Sequence, residues 1–262
     1  MFQRLSHTVQ QPRPWLARVI RLLLVAATVL LTARLIASLV VVGAAYLHPT
    51  PSLPSGNDFA LYLERTRAWL SGDGYYLARQ LTGSGYPVAI GDAMYPPTSL
   101  LLFVPFAVAL PPVLWWAIPA VIVAAAVLHA RPPLAAWPFL LYACSEPRFF
   151  TLVAYGNPSM WVIAAAAAGT QWRWPFVGAL LKPTLAPFAL LGVRGRSWWI
   201  ALGIVVALSL PFGTMWLDWV TALVNARPTE AHGLDYLLGE WPVLVSMLAG
   251  LWISRRGASA LG

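Results

Sequence analysis

The chain has 262 residues, of which 59% are hydrophobic and only 10% charged, with a mean hydropathy of +0.69. That balance excludes a soluble domain of this size and describes a chain embedded in lipid with short loops. The net charge of +8 is carried by single arginines scattered between apolar runs. This is the pattern of membrane-topology signals and not of a nucleic-acid face.

Arg4, Arg13, Arg18 and Arg21 precede an apolar run from Leu22 to Leu47. A signal-peptide core is about 7–15 residues long, so this run reads as a retained first span over 22–47, with a cytoplasmic N-terminus. Arg34 lies near its middle. On insertion scales a charge there costs at least about 2.5–3.5 kcal/mol, so it either faces a partner or wet cavity or snorkels along a tilted helix.

Residues 48–97 form the long polar segment and read as an extracytoplasmic loop. Pro51 and Pro54 stop the first helix. Ser55, with Asp58 three residues on, suggests a capped start for a helix over 57–70. Phe59, Leu63, Thr66 and Leu70 share one stripe, and Glu64, Arg65 and Arg67 lie largely off it. The expectation is an amphipathic helix on the membrane surface. Ser71 to Gly74 is a turn, and Tyr75, Tyr76, Tyr86 and Tyr95 suit an interface.

Residues 98–216 read as short spans cut by proline. Ser99 to Leu110 is expected to return inward, Val113 to Leu128 to go out, and Leu134 to Cys144 to return. Two segments, 148–173 and 173–194, each have arginine at both ends and a break near the middle, Gly156-Asn157-Pro158 and Lys182-Pro183. Each is either a hairpin re-entering from the cytoplasm, the favoured reading, or one kinked span. Trp198 to Trp216 goes outward, 217–240 is a second outer loop, and 241–253 is the last span before Arg255-Arg256. Cys144 is the only cysteine, which excludes an internal disulfide and a Cys-based metal site.

Few residues carry chemistry. Asp58 is either a general base for an acceptor hydroxyl or an acid offsetting a helix dipole. Lys182, the only lysine, either neutralises a lipid phosphate or snorkels at a break. Asn157 is an amide at the other break or a helix cap. Tyr95 is most simply an interface anchor. His232 and Asp235 form at best a weak metal pair in a solvated loop.

The ordered pieces "NDF…WLSGDGYY", "YPPTSLLLFVPF", "YGNPSMW" and "GALLKPTLAPFALL" resemble glycosyltransferase family 87 of the GT-C superfamily over about 55–193. Asp58 matches the family's loop aspartate, Gly72 and Tyr76 its turn, and Tyr95 to Pro97 its Tyr-Pro-Pro. Gly156-Asn157 and Lys182-Pro183 match its two breaks. The resemblance implies an all-α polytopic membrane protein of the bacterial inner membrane, a GT-C-like bundle with its active face outside. It implies inverting transfer of a sugar, mannose first, from a polyprenyl-phosphate donor to a lipid or glycan acceptor. Asp58 would be the base. Lys182, with Arg34, Arg65 or Arg67, would hold the phosphate, and Tyr75, Tyr76, Tyr95 and Asn157 would line the sugar or acceptor site. No metal is expected, since the first loop lacks a paired acidic motif, and no cofactor or nucleic-acid partner is expected either. Members of the family are longer towards the C-terminus. The alternatives are therefore an inactive relative acting as a lipid-binding or assembly subunit, a chain completed by a partner subunit, or a small transporter.

Overall fold

The computed structural model describes residues 14–47, 56–83, 85–88, 92–227 and 238–259. Ser55, the prolines at 51 and 54, Arg4, Arg13, Glu230 and the pair His232 and Asp235 lie outside them.

The protein is all-α. Its long helix α1 (Pro14–Leu47) contains the one stretch among the described residues that is long and apolar enough to cross a membrane alone, Pro14–Val41. Two bent pairs qualify only if each counts as a single span, which would bring the number to three. Further helices are α2 (Asn57–Leu70), α3 (Ala78–Thr82), α4 (Leu100–Val108), α5 (Leu114–Ala130), α6 (Trp137–Ser145), α7 (Pro147–Tyr155), α8 (Ser159–Trp172), α9 (Arg196–Ser209), α10 (Met215–Asn225) and α11 (Trp241–Ser259). Two 3-10 segments, Trp174–Leu181 and Pro183–Gly192, stand between α8 and α9. Strands β1 (Tyr86–Pro87) and β2 (Ala226–Arg227) pair in parallel.

The outward faces show why the chain belongs in a membrane. Leu22, Leu30 and Val41 on α1, Val121 and Leu128 on α5, and Ile200, Ile204 and Leu208 on α9 are all exposed. Water would penalise so much apolar surface, and lipid does not.

The helices are arranged as a cap over a bundle. In the cap, α2 lies along α4: Tyr62 stacks on Phe103 at 4.9 Å, and Phe59 meets Phe106 edge-on at 6.1 Å. The apolar stripe of α2 is therefore covered by protein. Phe59, Tyr62, Leu63 and Thr66 are buried, while Leu70 is exposed. Gly56, with φ of 71°, occupies the N-cap, and no side chain caps the helix. The cap also holds α3, α7 and α10. Tyr86 donates to the Ala222 carbonyl at 3.0 Å, and Trp219 to that of Met94 at 3.2 Å.

This packing places 99–144 differently from expectation relative to the polar segment. Aromatic stacking keeps α4 in the cap beside α2. Trp115, at the start of α5, donates to the Gly156 carbonyl at 2.8 Å and is fully buried. Helix α5 therefore begins at the cap and runs away from it. Leu140 of α6 lies against Gly250 of α11, far from the cap, and α6 climbs back to Glu146 at the start of α7. The expected outer loop over 217–240 is helical as far as Asn225. Residues 196–212 and 215–225 meet at 89°, so 198–216 is not one straight span.

The core of the bundle is α8. Its run Ile163 to Gly169 is mostly alanine and buried except at Ala165, which lets α5 and the 3-10 segments approach closely. A methyl group on Gly169 would meet the Phe176 ring at 2.7 Å.

Candidate functional site

The site is built around the break between α7 and α8, where the chain turns by 116°. Gly156 has φ of 67°, a left-handed conformation that a side chain disfavours. A Cβ there would also stand 2.9 Å from both Phe59 and Trp116. The amide of Asn157 donates to the Leu152 carbonyl at 2.8 Å, and that of Gly156 to the Val153 carbonyl at 3.1 Å. This is a Schellman ending for α7, which satisfies carbonyls that helix termination leaves open. Two indoles lock it from outside, with Trp116 donating to the Val153 carbonyl at 2.8 Å and Trp115 to that of Gly156. Pro158 then lets α8 start in a new direction.

Asn157 is thereby held at the junction, and its side chain faces two ways. Oδ1 accepts from the Ser159 amide at 3.0 Å, which caps the first turn of α8. Nδ2 donates to Asp58 Oδ2 at 2.6 Å. The amide is an N-terminal cap and a carboxylate holder at once. Its orientation follows from its neighbours, since donors surround the oxygen and a carboxylate faces the nitrogen.

Lys182 reaches the same point from the tip of a hairpin formed by the two 3-10 segments. The base of that hairpin closes where Gly192 and Gly195 meet Arg173. Lys182 Nζ donates to Glu240 Oε1 at 2.5 Å, to Ser159 Oγ at 2.6 Å and to Asn157 Oδ1 at 3.4 Å. The Ser159 hydroxyl has one proton and two acceptors within reach, Asn157 Oδ1 at 2.7 Å and Glu240 Oε2 at 2.9 Å. Tyr95 adds a long contact to Asn157 Oδ1 at 3.5 Å, and its own carbonyl is held by the Tyr76 hydroxyl at 2.8 Å.

Asp58, Asn157 and Glu240 line one cavity of about 400 Å³, together with Arg148, Thr151, Leu152 and Tyr155. That volume suits a small ligand or the head of a larger one. Burial pushes the Asp58 carboxyl above its ordinary value. The Asn157 hydrogen bond and the Lys182 charge oppose the rise, and the Glu240 charge adds to it. Among the described residues Asp58 Oδ1 has no protein partner, so the group combines raised basicity with one open oxygen.

The other expected residues are placed differently. Tyr75 and Tyr76 are buried in the cap and are not cavity walls. Tyr75 meets Ser99 Oγ at 3.4 Å, and Tyr76 positions Tyr95. Arg34 is exposed on α1, and Arg67 is exposed on α2. Arg65 pairs with its neighbour Glu64 at 2.5 Å. None of these three arginines lines the cavity or joins the Asn157 network. Lys182 does join it, although its charge already faces Glu240.

Sequence reasoning missed Ser159, Glu240 and Arg148. Ser159 follows the Asn-Pro break, where a cap-binding hydroxyl is a readable signal. Glu240 immediately precedes the last apolar helix, but nothing local links it to Lys182. In sequence, Arg148 marks the end opposite the polar loop. It stands at the Asp58 cavity, because α7 belongs to the cap and only α8 descends from the break. Among the described residues no cluster of three or more His, Cys, Asp or Glu side chains suited to a metal ion forms.

Comparison of the chain with protein-family models, with curated proteins and with solved structures finds no match.

Proposed function

We propose that this is a polytopic GT-C-type glycosyltransferase that moves a sugar, mannose first, from a polyprenyl-phosphate donor to an acceptor hydroxyl at the extracytoplasmic face of a bacterial inner membrane. One observation carries the reading. Asp58, Asn157, Ser159, Lys182 and Glu240 come from four distant stretches and meet in one hydrogen-bonded group beside a cavity. Four of them, Asp58, Asn157, Ser159 and Lys182, lie in the pieces of sequence that resemble family 87.

The orientation rests on the arginines. Four helices that run between the cap and the far end have arginine at the far end: Arg131 after α5, Arg173 after α8, Arg194 and Arg196 at the start of α9, and Arg255 and Arg256 near the end of α11. By the positive-inside rule the far end is cytoplasmic and the cap lies outside.

In the reaction, Asp58 Oδ1 takes the proton of the acceptor hydroxyl. The acceptor oxygen forms a bond to the anomeric carbon as the bond from that carbon to the phosphate oxygen breaks. The electron pair leaves on the phosphate, and the configuration inverts. Asn157 holds Oδ2 so that Oδ1 stays aimed into the cavity. Lys182, matched by Glu240, fixes Ser159 and Asn157 in turn and acts as a positioning residue.

The test is transfer from a radiolabelled polyprenyl-phosphate sugar in membranes. Asp58→Asn is expected to cost about 10²–10⁴-fold with unchanged protein level. Transfer at the wild-type rate overturns the assignment. Because the Asp58 value is raised, the rate falls as pH drops through a point above the ordinary 3.8. An acid limb at or below 3.8 in the pH–rate profile counts against Asp58 as the base.

A second reading, an inactive relative acting as an assembly subunit, draws on α1, none of whose spanning window is buried. It predicts no transfer by either protein.

A further inference from the structure

The cavity holds a cationic residue that the reading above leaves unused. Arg148, Thr151, Leu152 and Tyr155 line it, at positions i, i+3, i+4 and i+7 of α7. One whole face of this helix is therefore a cavity wall. The opposite side packs inward through Phe149 and Val153. The Glu146 carboxylate accepts from the Arg148 amide at the first turn, which anchors the start of the wall. Arg148 is exposed at the start of this wall.

We infer that Arg148 is the residue that binds the phosphate of the lipid-linked donor. This rests on the glycosyl-transfer reading. In an inverting displacement the attacking oxygen and the departing phosphate lie on opposite faces of the anomeric carbon. The base and the phosphate holder must then stand at opposite ends of the site. Asp58 is tied to Asn157, just past the C-terminus of α7, and Lys182 touches that same Asn157. Lys182 is thus on the side of the base. Arg148 is at the other end of the wall, about 10 Å along the axis from Tyr155 at a rise of about 1.5 Å per residue. A guanidinium also presents a planar fork that fits phosphate oxygens, and it stabilises the charge that develops on the leaving group. With Lys182 set against Glu240, Asp58 leaves that end of the cavity with a net negative charge, so the donor enters with its phosphate towards Arg148.

The test uses the full chain in lipid nanodiscs and three probes: a polyprenyl monophosphate, the corresponding polyprenol without phosphate, and inorganic phosphate. Arg148→Gln is expected to weaken the polyprenyl monophosphate about tenfold or more and to leave polyprenol binding unchanged. Arg148→Lys is expected to fall between the two. Equal loss for both lipids would mean a structural effect and overturn the inference, as would wild-type affinity in Arg148→Gln or no binding by the wild type. Inorganic phosphate binding as tightly as the lipid phosphate would overturn the lipid-linked assignment. Binding is read without transfer, so the two proposals fail separately. An active Asp58→Asn removes the base and leaves the Arg148 result standing. A normal donor KM in Arg148→Gln removes the phosphate holder and leaves the reaction standing.

Discussion

The breaks at Gly156-Asn157-Pro158 and Lys182-Pro183 look alike in sequence, each a proline near the middle of an apolar segment between arginines. They fold differently. The first turns the chain by 116° and leaves α7 in the cap, so Arg148 stands at the Asp58 cavity while Arg173 lies past the far end of α8. The second returns the chain on itself, with Lys182 at the tip and Arg173 against Gly192 at the base. The first has a left-handed glycine and two indoles that hold the turn open. The second has no left-handed residue at its tip, and its two 3-10 arms pack on each other and on the small residues of α8. A proline shows where a helix ends, while the packing around it sets the angle at which the chain continues.

Perturbing each break separately sharpens this contrast. The largest effect is expected at the hairpin tip. Lys182→Met leaves Glu240 without its partner in a mostly buried site, and loss of one member of such a pair costs about 3–5 kcal/mol. Lys182→Met with Glu240→Leu removes both charges and is expected to recover most of the loss. Thermal unfolding of the purified proteins as a double-mutant cycle measures the coupling, and purely additive losses would show that the pair is not linked.

At the first break, Gly156→Ala imposes a left-handed conformation on a side chain that also has no room. A loss of about 1–3 kcal/mol is expected, with lower donor turnover because Asn157 moves. Gly72, also left-handed but with open space around it, serves as the control. Gly72→Ala is expected to be the milder change, and equal losses at both sites would refute the role of the indole lock. Trp116→Phe keeps the ring packing and removes one hydrogen bond to the Val153 carbonyl. About 0.5–1.5 kcal/mol is expected, read from the same unfolding curves.

The smallest expected change in stability is at Asp58. A carboxyl whose folded value is raised favours its protonated form in the folded state. Its contribution is present at low pH and is lost as pH rises through the folded value. At neutral pH Asp58→Asn should therefore unfold no earlier than the wild type, even as transfer collapses. A clear drop in unfolding temperature would identify Asp58 as a structural acid.

Much of this was legible in the chain. A long first apolar helix, the helix at 57–70 and both breaks follow from local properties: apolar length, helical spacing, glycine and proline; that the first helix starts at Pro14 and not at Leu22 does not. Asp58, Asn157 and Lys182 stood out for the same reason, as polar groups where polar groups are scarce. Glu240 and Ser159 did not, because their roles depend on contacts to residues distant in the chain. Tyr75 and Tyr76 were misread because an aromatic next to a turn looks the same in sequence whether it faces lipid, sugar or core. Arg148 gives no local sign of its place, because an arginine beside an apolar segment looks the same in sequence whether it marks the end of a span or lines a cavity.

By itself the sequence determined that this protein lives in a membrane, is helical, and interrupts its apolar segments at two polar breaks. Those properties are sums over neighbouring residues, and no distant contact is needed to state them. The tertiary structure alone decided that α5 descends from the cap, that α7 stays within it, and that Asp58 meets Asn157 across 99 residues and Lys182 meets Glu240 across 58. Such pairings exist only once aromatic packing between α2, α4 and α5 has set where each break points.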